Sequence, residues 1–197
     1  MKKRYLVPLA GCAFLLAGCL VTSVYPFYTP KDVTFEPALT GNWTNSTDAQ
    51  ERWQFEATNT NSYRVTYSNK DSTNVMQATL FKLHNNLFLD LFTEEMKDDV
   101  QPPPIPSHFL FRMNQIKPSV KMAPMNYEWL VKLLDANPKA VRHHLIGDAK
   151  DKDKQRLVLT ADTAELQQFI IKQLDTAEAW KDESELVREG SANAGTK

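Results

Sequence analysis

Leu87-Phe88-Leu89-Asp90-Leu91-Phe92 is the stretch on which the fold turns. In an extended chain, alternate side chains point to opposite faces, so Leu87, Leu89 and Leu91 share one face and Phe88, Asp90 and Phe92 the other. Apolar residues on both faces imply a strand covered on both sides, with the helices that come later in the chain as the cover. Its hairpin partner is 75–83, the most apolar run nearby. The link His84-Asn85-Asn86 carries asparagines that tolerate the positive φ a tight hairpin turn requires.

Working back from this pair, the same period of two recurs. Trp43 opens a short strand after Gly41, Arg52-Trp53-Gln54-Phe55-Glu56 alternates, and Tyr63-Arg64-Val65-Thr66-Tyr67 places its aromatics on one face. The polar breaks Asn45-Ser46-Thr47-Asp48, Thr58-Asn59-Thr60-Asn61 and Ser68-Asn69-Lys70-Asp71-Ser72 are turn formers at hairpin spacing. Working forward, Gln101-Pro102-Pro103-Pro104-Ile105-Pro106 is a stiff connection that cannot donate to a ladder. A strand over 108–116 follows, with Phe109, Phe111 and Met113 on one face and Leu110, Arg112 and Asn114 on the other.

Two amphipathic helices come next. Tyr127, Leu130, Val131 and Leu134 recur at helical spacing, with Asn126 as cap and Pro138 as stop. Asp162 and Glu165 form a capping-box start for a stripe of Leu166, Phe169, Ile170 and Leu174. Between the helices, 141–146 and 156–160 predict a strand pair across the charged loop 148–154. The expected class is mainly β with C-terminal helices, an antiparallel meander closed into a barrel or strongly curved. The alternative is an open α+β sheet packed by two helices.

The chain begins with Lys2, Lys3 and Arg4, then an uncharged run, then Leu16-Ala17-Gly18-Cys19. This closely resembles the bacterial lipobox, and the resemblance implies cleavage before Cys19 and acylation there by diacylglyceryl thioether and amide-linked chains, palmitate-like in class. An earlier copy, Leu9-Ala10-Gly11-Cys12, has too short an apolar core ahead of it. Because the uncharged run continues to Tyr28, an uncleaved membrane helix is the competing reading, weakened by Pro8, Thr22, Ser23 and Pro26. Leu20, where aspartate often holds lipoproteins at the inner membrane, implies an outer-membrane destination. The expected organisation is a leader over 1–18, a lipidated N-terminus and extended tether over 19–38, one β-rich domain over 39–181, and a polar, disordered tail over 182–197.

Gly41-Asn42-Trp43 resembles the Gly-x-Trp of lipocalins and other calycins. There the tryptophan closes one end of an eight-stranded barrel beneath a basic side chain from a late strand; Arg156 and Arg142 are the candidates for that partner. Leu87 to Leu91, Met122-Ala123-Pro124-Met125-Asn126-Tyr127-Glu128-Trp129-Leu130 and Leu159-Thr160-Ala161-Asp162-Thr163-Ala164-Glu165-Leu166-Gln167 are similar to an uncharacterised group of bacterial lipoproteins, which brings no activity with it.

Composition narrows the chemistry. Of 23 basic and 24 acidic residues, loss of Lys2, Lys3 and Arg4 leaves 20 against 24, an acidic balance with no general pull on nucleic acid. The only cysteines are Cys12 and Cys19, so a processed domain holds no disulfide, thiolate nucleophile or cysteine metal site. Nucleophile-elbow, His-Glu-x-x-His and phosphate-loop motifs are absent, and six glycines supply little for a phosphate cradle. His143 and His144 are the best metal lead, yet strand neighbours point apart. Asp90, a carboxylate among leucines, is the best candidate for an acid or base if a histidine joins it.

These features predict no enzyme, cofactor or metal. They predict an envelope protein held to the membrane by acyl chains on Cys19. Its partner is either a small apolar ligand, with Tyr63, Tyr67, Phe109 and Phe111 as lining, or another envelope protein met through the Pro-rich loop or a strand edge.

Overall fold

The computed structural model describes residues 20–58, 60–93, 107–147 and 156–190. The leader, Cys19, the Pro-rich run 101–106, the charged loop 148–154 and the end of the tail lie outside the described residues.

Eight antiparallel strands close into a barrel: β2 (Gly41–Asn45), β3 (Arg52–Ala57), β4 (Tyr63–Ser68), β5 (Thr73–Leu83), β6 (Asn86–Thr93), β7 (Ser107–Gln115), β8 (Val120–Pro124) and β11 (Ser184–Arg188). The ring runs β6-β5-β4-β3-β2-β11-β8-β7 and closes by pairing β7 with β6. The expected barrel is thus the one formed. Its alternation follows the sequence: Tyr63, Val65 and Tyr67 are buried while Arg64 is exposed.

The stretch 87–92 has the two covered faces its composition demands. Leu89 and Leu91 join Trp53, Phe55, Tyr63, Phe111 and Met122 in the barrel interior. Phe88 points the other way, into a second core with Phe81, Leu110, Leu130, Leu166, Phe169 and Trp180. That outer core is the contact of α1 (Tyr127–Ala136) and α2 (Thr163–Lys172) with the barrel wall. Each such aromatic contributes about 1.5–3 kcal/mol by leaving water. Both caps form as the sequence implies: Asn126 Oδ1 accepts from Trp129 N at 2.7 Å and Asp162 Oδ1 from Glu165 N at 3.0 Å. Glu165 does not reach back to its own cap, however; its carboxylate accepts from the backbone N–H and guanidinium of Arg142.

Three expectations are corrected. The tail is not disordered from 182, since β11 lies between β2 and β8 and completes the ring. Its Leu186 is fully buried, and that burial against partners far away in sequence outweighs a polar composition. Nor is 19–38 an extended tether over its described part. β1 (Thr22–Ser23) pairs antiparallel with the first half of β7, beyond the point where β8 leaves that flank, and parallel with β10 (Arg156–Leu159), which carries β9 (His143–Ile146). Val21 and Phe27 are buried in the outer core, and the backbone of Val33 bridges to Phe81. Finally, the left-handed residue of the β5–β6 turn is His84, at φ 53°, rather than an asparagine.

Candidate functional site: the mouth of the barrel

Antiparallel connectivity sorts the loops to two ends. One end holds the β3–β4 and β5–β6 turns and the 3-10 turn Pro37–Leu39; the other holds the β2–β3 and β4–β5 turns and the start of β7. The two ends are built differently.

The first end is shut. Trp43 Nε1 donates to Leu39 O at 2.8 Å, and the Arg188 guanidinium sits 4.4 Å from the centre of the Trp43 ring. Arg188 also donates to Ala38 O and Thr40 O, so one cation fastens the 3-10 turn over the interior. Gly41 has φ 122°, which calls for glycine, and a β-carbon there, 2.5 Å from Arg188 Nη1, would also push the guanidinium off its seat. The basic partner of Trp43 is therefore Arg188. Arg142 instead caps the start of α2, and Arg156 is exposed in β10. Tyr63 belongs to this end: its hydroxyl accepts from Glu36 N and donates to Glu36 O, with Phe35 stacked at 5.0 Å. Burial pushes its phenol pKa up, against the lowering effect of the Glu36 backbone bond.

Among the described residues the opposite end is open; the β6–β7 connection over 94–106 starts there and lies outside them. An apolar pocket of about 100 Å³ lies there, with buried Trp53, Tyr67, Leu91 and Phe111 as its floor and half-buried Leu20, Asn74, Met76, Thr93 and Phe109 as its rim. Trp53 packs on Tyr67 at 4.8 Å and edge-on to Phe111 at 6.3 Å, which keeps the floor stiff. Burial raises the Tyr67 phenol, whose oxygen accepts from Asn69 Nδ2 at 3.3 Å. Beside the floor, the buried carboxylate of Glu51 accepts from Trp53 Nε1 at 3.1 Å and Asn45 Nδ2 at 2.8 Å. The expected lining thus divides: Tyr67, Phe109 and Phe111 come together at the mouth, and Tyr63 does not.

The other candidates separate in space. Asp90 is buried on the outer face of β6, where Oδ2 accepts from Phe27 N at 2.9 Å and Oδ1 meets His108 Nδ1 at 2.7 Å. The carboxylate does find a histidine, but the imidazole stacks on Phe92 at 4.6 Å and the pair fastens the N-terminal segment to the wall. His143 and His144 occupy consecutive positions of β9, and His143 Nδ1 lies 3.0 Å from Val141 O. Among the described residues, no three His, Cys, Asp or Glu side chains are grouped to hold a metal ion.

No family model, curated protein or solved structure matches this chain. The site must be read from its own geometry.

Leu20, Met76 and Asn74 escaped the sequence reading. Met76 sits in a run that is half-buried throughout at 74–76, where strict alternation fails, and Leu20 was assigned to a tether. Arg188 was missed because its strand is five residues long and follows a helical region. The demand of Trp43 for a late-strand cation was the signal that could have found it.

Proposed function

We propose that the protein is a membrane-anchored bacterial lipoprotein, acylated at Cys19 and outer-membrane in destination, whose barrel binds the end of an apolar or amphipathic ligand without catalysis. The observation that carries this reading is the difference between the two barrel ends: one is locked by Arg188 and Tyr63, and the other leaves an apolar pocket ringed by Leu20, Met76 and Phe109. An eight-stranded barrel has an interior just wide enough to be filled by side chains or to hold one small ligand. Here most of the length is filled. The pocket, at about 100 Å³, falls well short of the roughly 300–1,000 Å³ of sites that swallow whole ligands. Its volume is that of about three waters, which suits the tip of an alkyl chain. The Thr93 hydroxyl and Asn74 amide on the rim supply polar groups for a head outside.

The Trp43 and Arg188 stack supports the lipocalin resemblance, and the basic start followed by Leu16-Ala17-Gly18-Cys19 supports export and lipidation. The test is quenching of Trp53 by a fatty acid carrying a nitroxide near its methyl end. Saturable quenching is expected, with the quenched component lost in Trp53→Phe. Quenching that is linear in probe, or unchanged by Trp53→Phe, would overturn the binding reading.

A second reading draws on β9. Among the described residues it pairs on one side only, with β10, and it exposes Leu145 and Ile146 at 50% and 43%. Such an edge suits strand addition by an envelope protein. Glu substitution at Leu145 should then abolish cross-linking to that partner and leave Trp53 quenching intact.

A further inference from the structure

We infer that the open mouth of the barrel lies against the lipid bilayer that holds Cys19, so that the rim is a membrane-contact surface and its pocket faces acyl chains. This rests on the lipidation reading proposed above.

A flexible linker between an acylated cysteine and a domain would leave the domain free to tumble. Here Leu20, bonded directly to Cys19, is already part of the fold: its backbone bridges to Asn126 and its side chain forms part of the pocket rim. Val21 is buried in the outer core, and Thr22 pairs with Phe109. Consecutive α-carbons are 3.8 Å apart, so acyl groups on Cys19 leave the protein within one residue of Leu20, whose side chain lines the pocket. A surface entered by those chains lies close to that pocket.

A second observation comes from the chain after β1. Ser23 pairs with His108, and β1 runs antiparallel to β7, so Val24 and Tyr25 pass the start of β7 at the mouth end. They are exposed, at 37% and 48%, when most large apolar side chains of the described residues are not. An exposed tyrosine beside an acyl anchor has the amphipathic character favoured at headgroup level. The charged groups of the described turns nearby, Asp48, Lys70 and Asp71, are mixed in sign.

The test uses the full acylated protein in phosphatidylcholine vesicles containing doxyl-labelled lipid. Once the leader is removed and Cys19 is acylated, the chain has no other thiol, so one cysteine can be added and labelled with a fluorophore. Lys70→Cys marks the β4–β5 turn at the mouth, and Thr60→Cys marks the β3–β4 turn at the shut end. Both are exposed, and β4 separates them by roughly 20 Å at about 3.3 Å per residue. The label at position 70 should be quenched at least threefold more than the label at position 60. Equal quenching, or stronger quenching at 60, on protein whose intact mass shows the acyl groups would overturn the orientation while leaving the anchor standing. An intact mass without acyl groups would remove both the anchor and the orientation.

Discussion

The guanidinium of Arg188 lies 4.4 Å above the ring of Trp43, joining the last described strand, β11, to the first strand of the barrel. The same side chain donates to the carbonyls of Ala38 and Thr40. One residue thereby ties down the closing strand, the 3-10 turn and the tryptophan that plugs the shut end.

Arg188→Ala should therefore lower stability by about 1–2 kcal/mol, from a cation–π contact and two charge-assisted hydrogen bonds at an exposed site. Arg188→Lys should recover part of the loss, because an ammonium can stack but cannot fork between two carbonyls. Urea unfolding with an unchanged slope checks this. Midpoints identical to the parent would show that the fastening is idle.

Gly41→Ala tests the same corner from the other side. An alanine at φ 122° is strained, and its β-carbon collides with Arg188 Nη1. A loss of about 1–3 kcal/mol is expected. In an Arg188→Ala background the collision disappears, so the penalty should shrink toward the backbone strain alone.

Asp90 should be the most sensitive polar position. It is 1% exposed and satisfies both Phe27 N and His108. Asp90→Ala leaves both partners unpaired in a buried site, at about 3 kcal/mol or more. Asp90→Asn keeps an acceptor for Phe27 N and should lose less. Hydrogen exchange at the Phe27 amide reads the effect directly; protection retained in Asp90→Ala would contradict the role assigned.

The pH dependence has a defined sign at Asp32. Burial alone would raise its carboxyl, but hydrogen bonds from Thr29 Oγ1, Gln167 Nε2 and Thr29 N, with the charge of Lys31, hold it below the usual carboxylate value. A group depressed on folding adds stability above its unfolded pKa of about 3.9, and that stability is lost as pH falls through the lower folded value. Asp32→Asn should therefore cost about 1 kcal/mol at pH 7, solvent screening included. The gap to the parent should narrow below about pH 4. Denaturant midpoints at pH 7 and pH 3 decide it.

How much of this was written in the sequence depends on the range of the interaction. Strands β3 to β7 and both helices were legible because hairpin alternation, turn residues and Asn126 and Asp162 caps are local signals. The covered outer face of β6 followed from Phe88 and Leu89 alone. By contrast β8, the hairpin partner of β7, is five residues long and ends in Pro124, too short for a clear alternation, and β11 has both its partners, β2 and β8, far away in sequence with nothing local to mark it. For the site, Tyr67, Phe109 and Phe111 were readable as interior aromatics. Which end of the barrel each occupies follows from its place along its strand, and so Tyr63, at the start of β4, falls at the shut end, away from a ligand, while Leu20 was overlooked.

The central claim, that the mouth holds the end of an apolar chain, is met most directly by native mass spectrometry of the acylated protein gently extracted from its own membrane, compared with Met76→Trp. The indole at position 76 fills the rim at a half-buried site and should leave the fold intact. A non-covalent lipid mass is expected on the parent, released on unfolding and reduced at least tenfold in Met76→Trp. A parent protein free of any such mass, or a variant that carries it equally, would contradict the account.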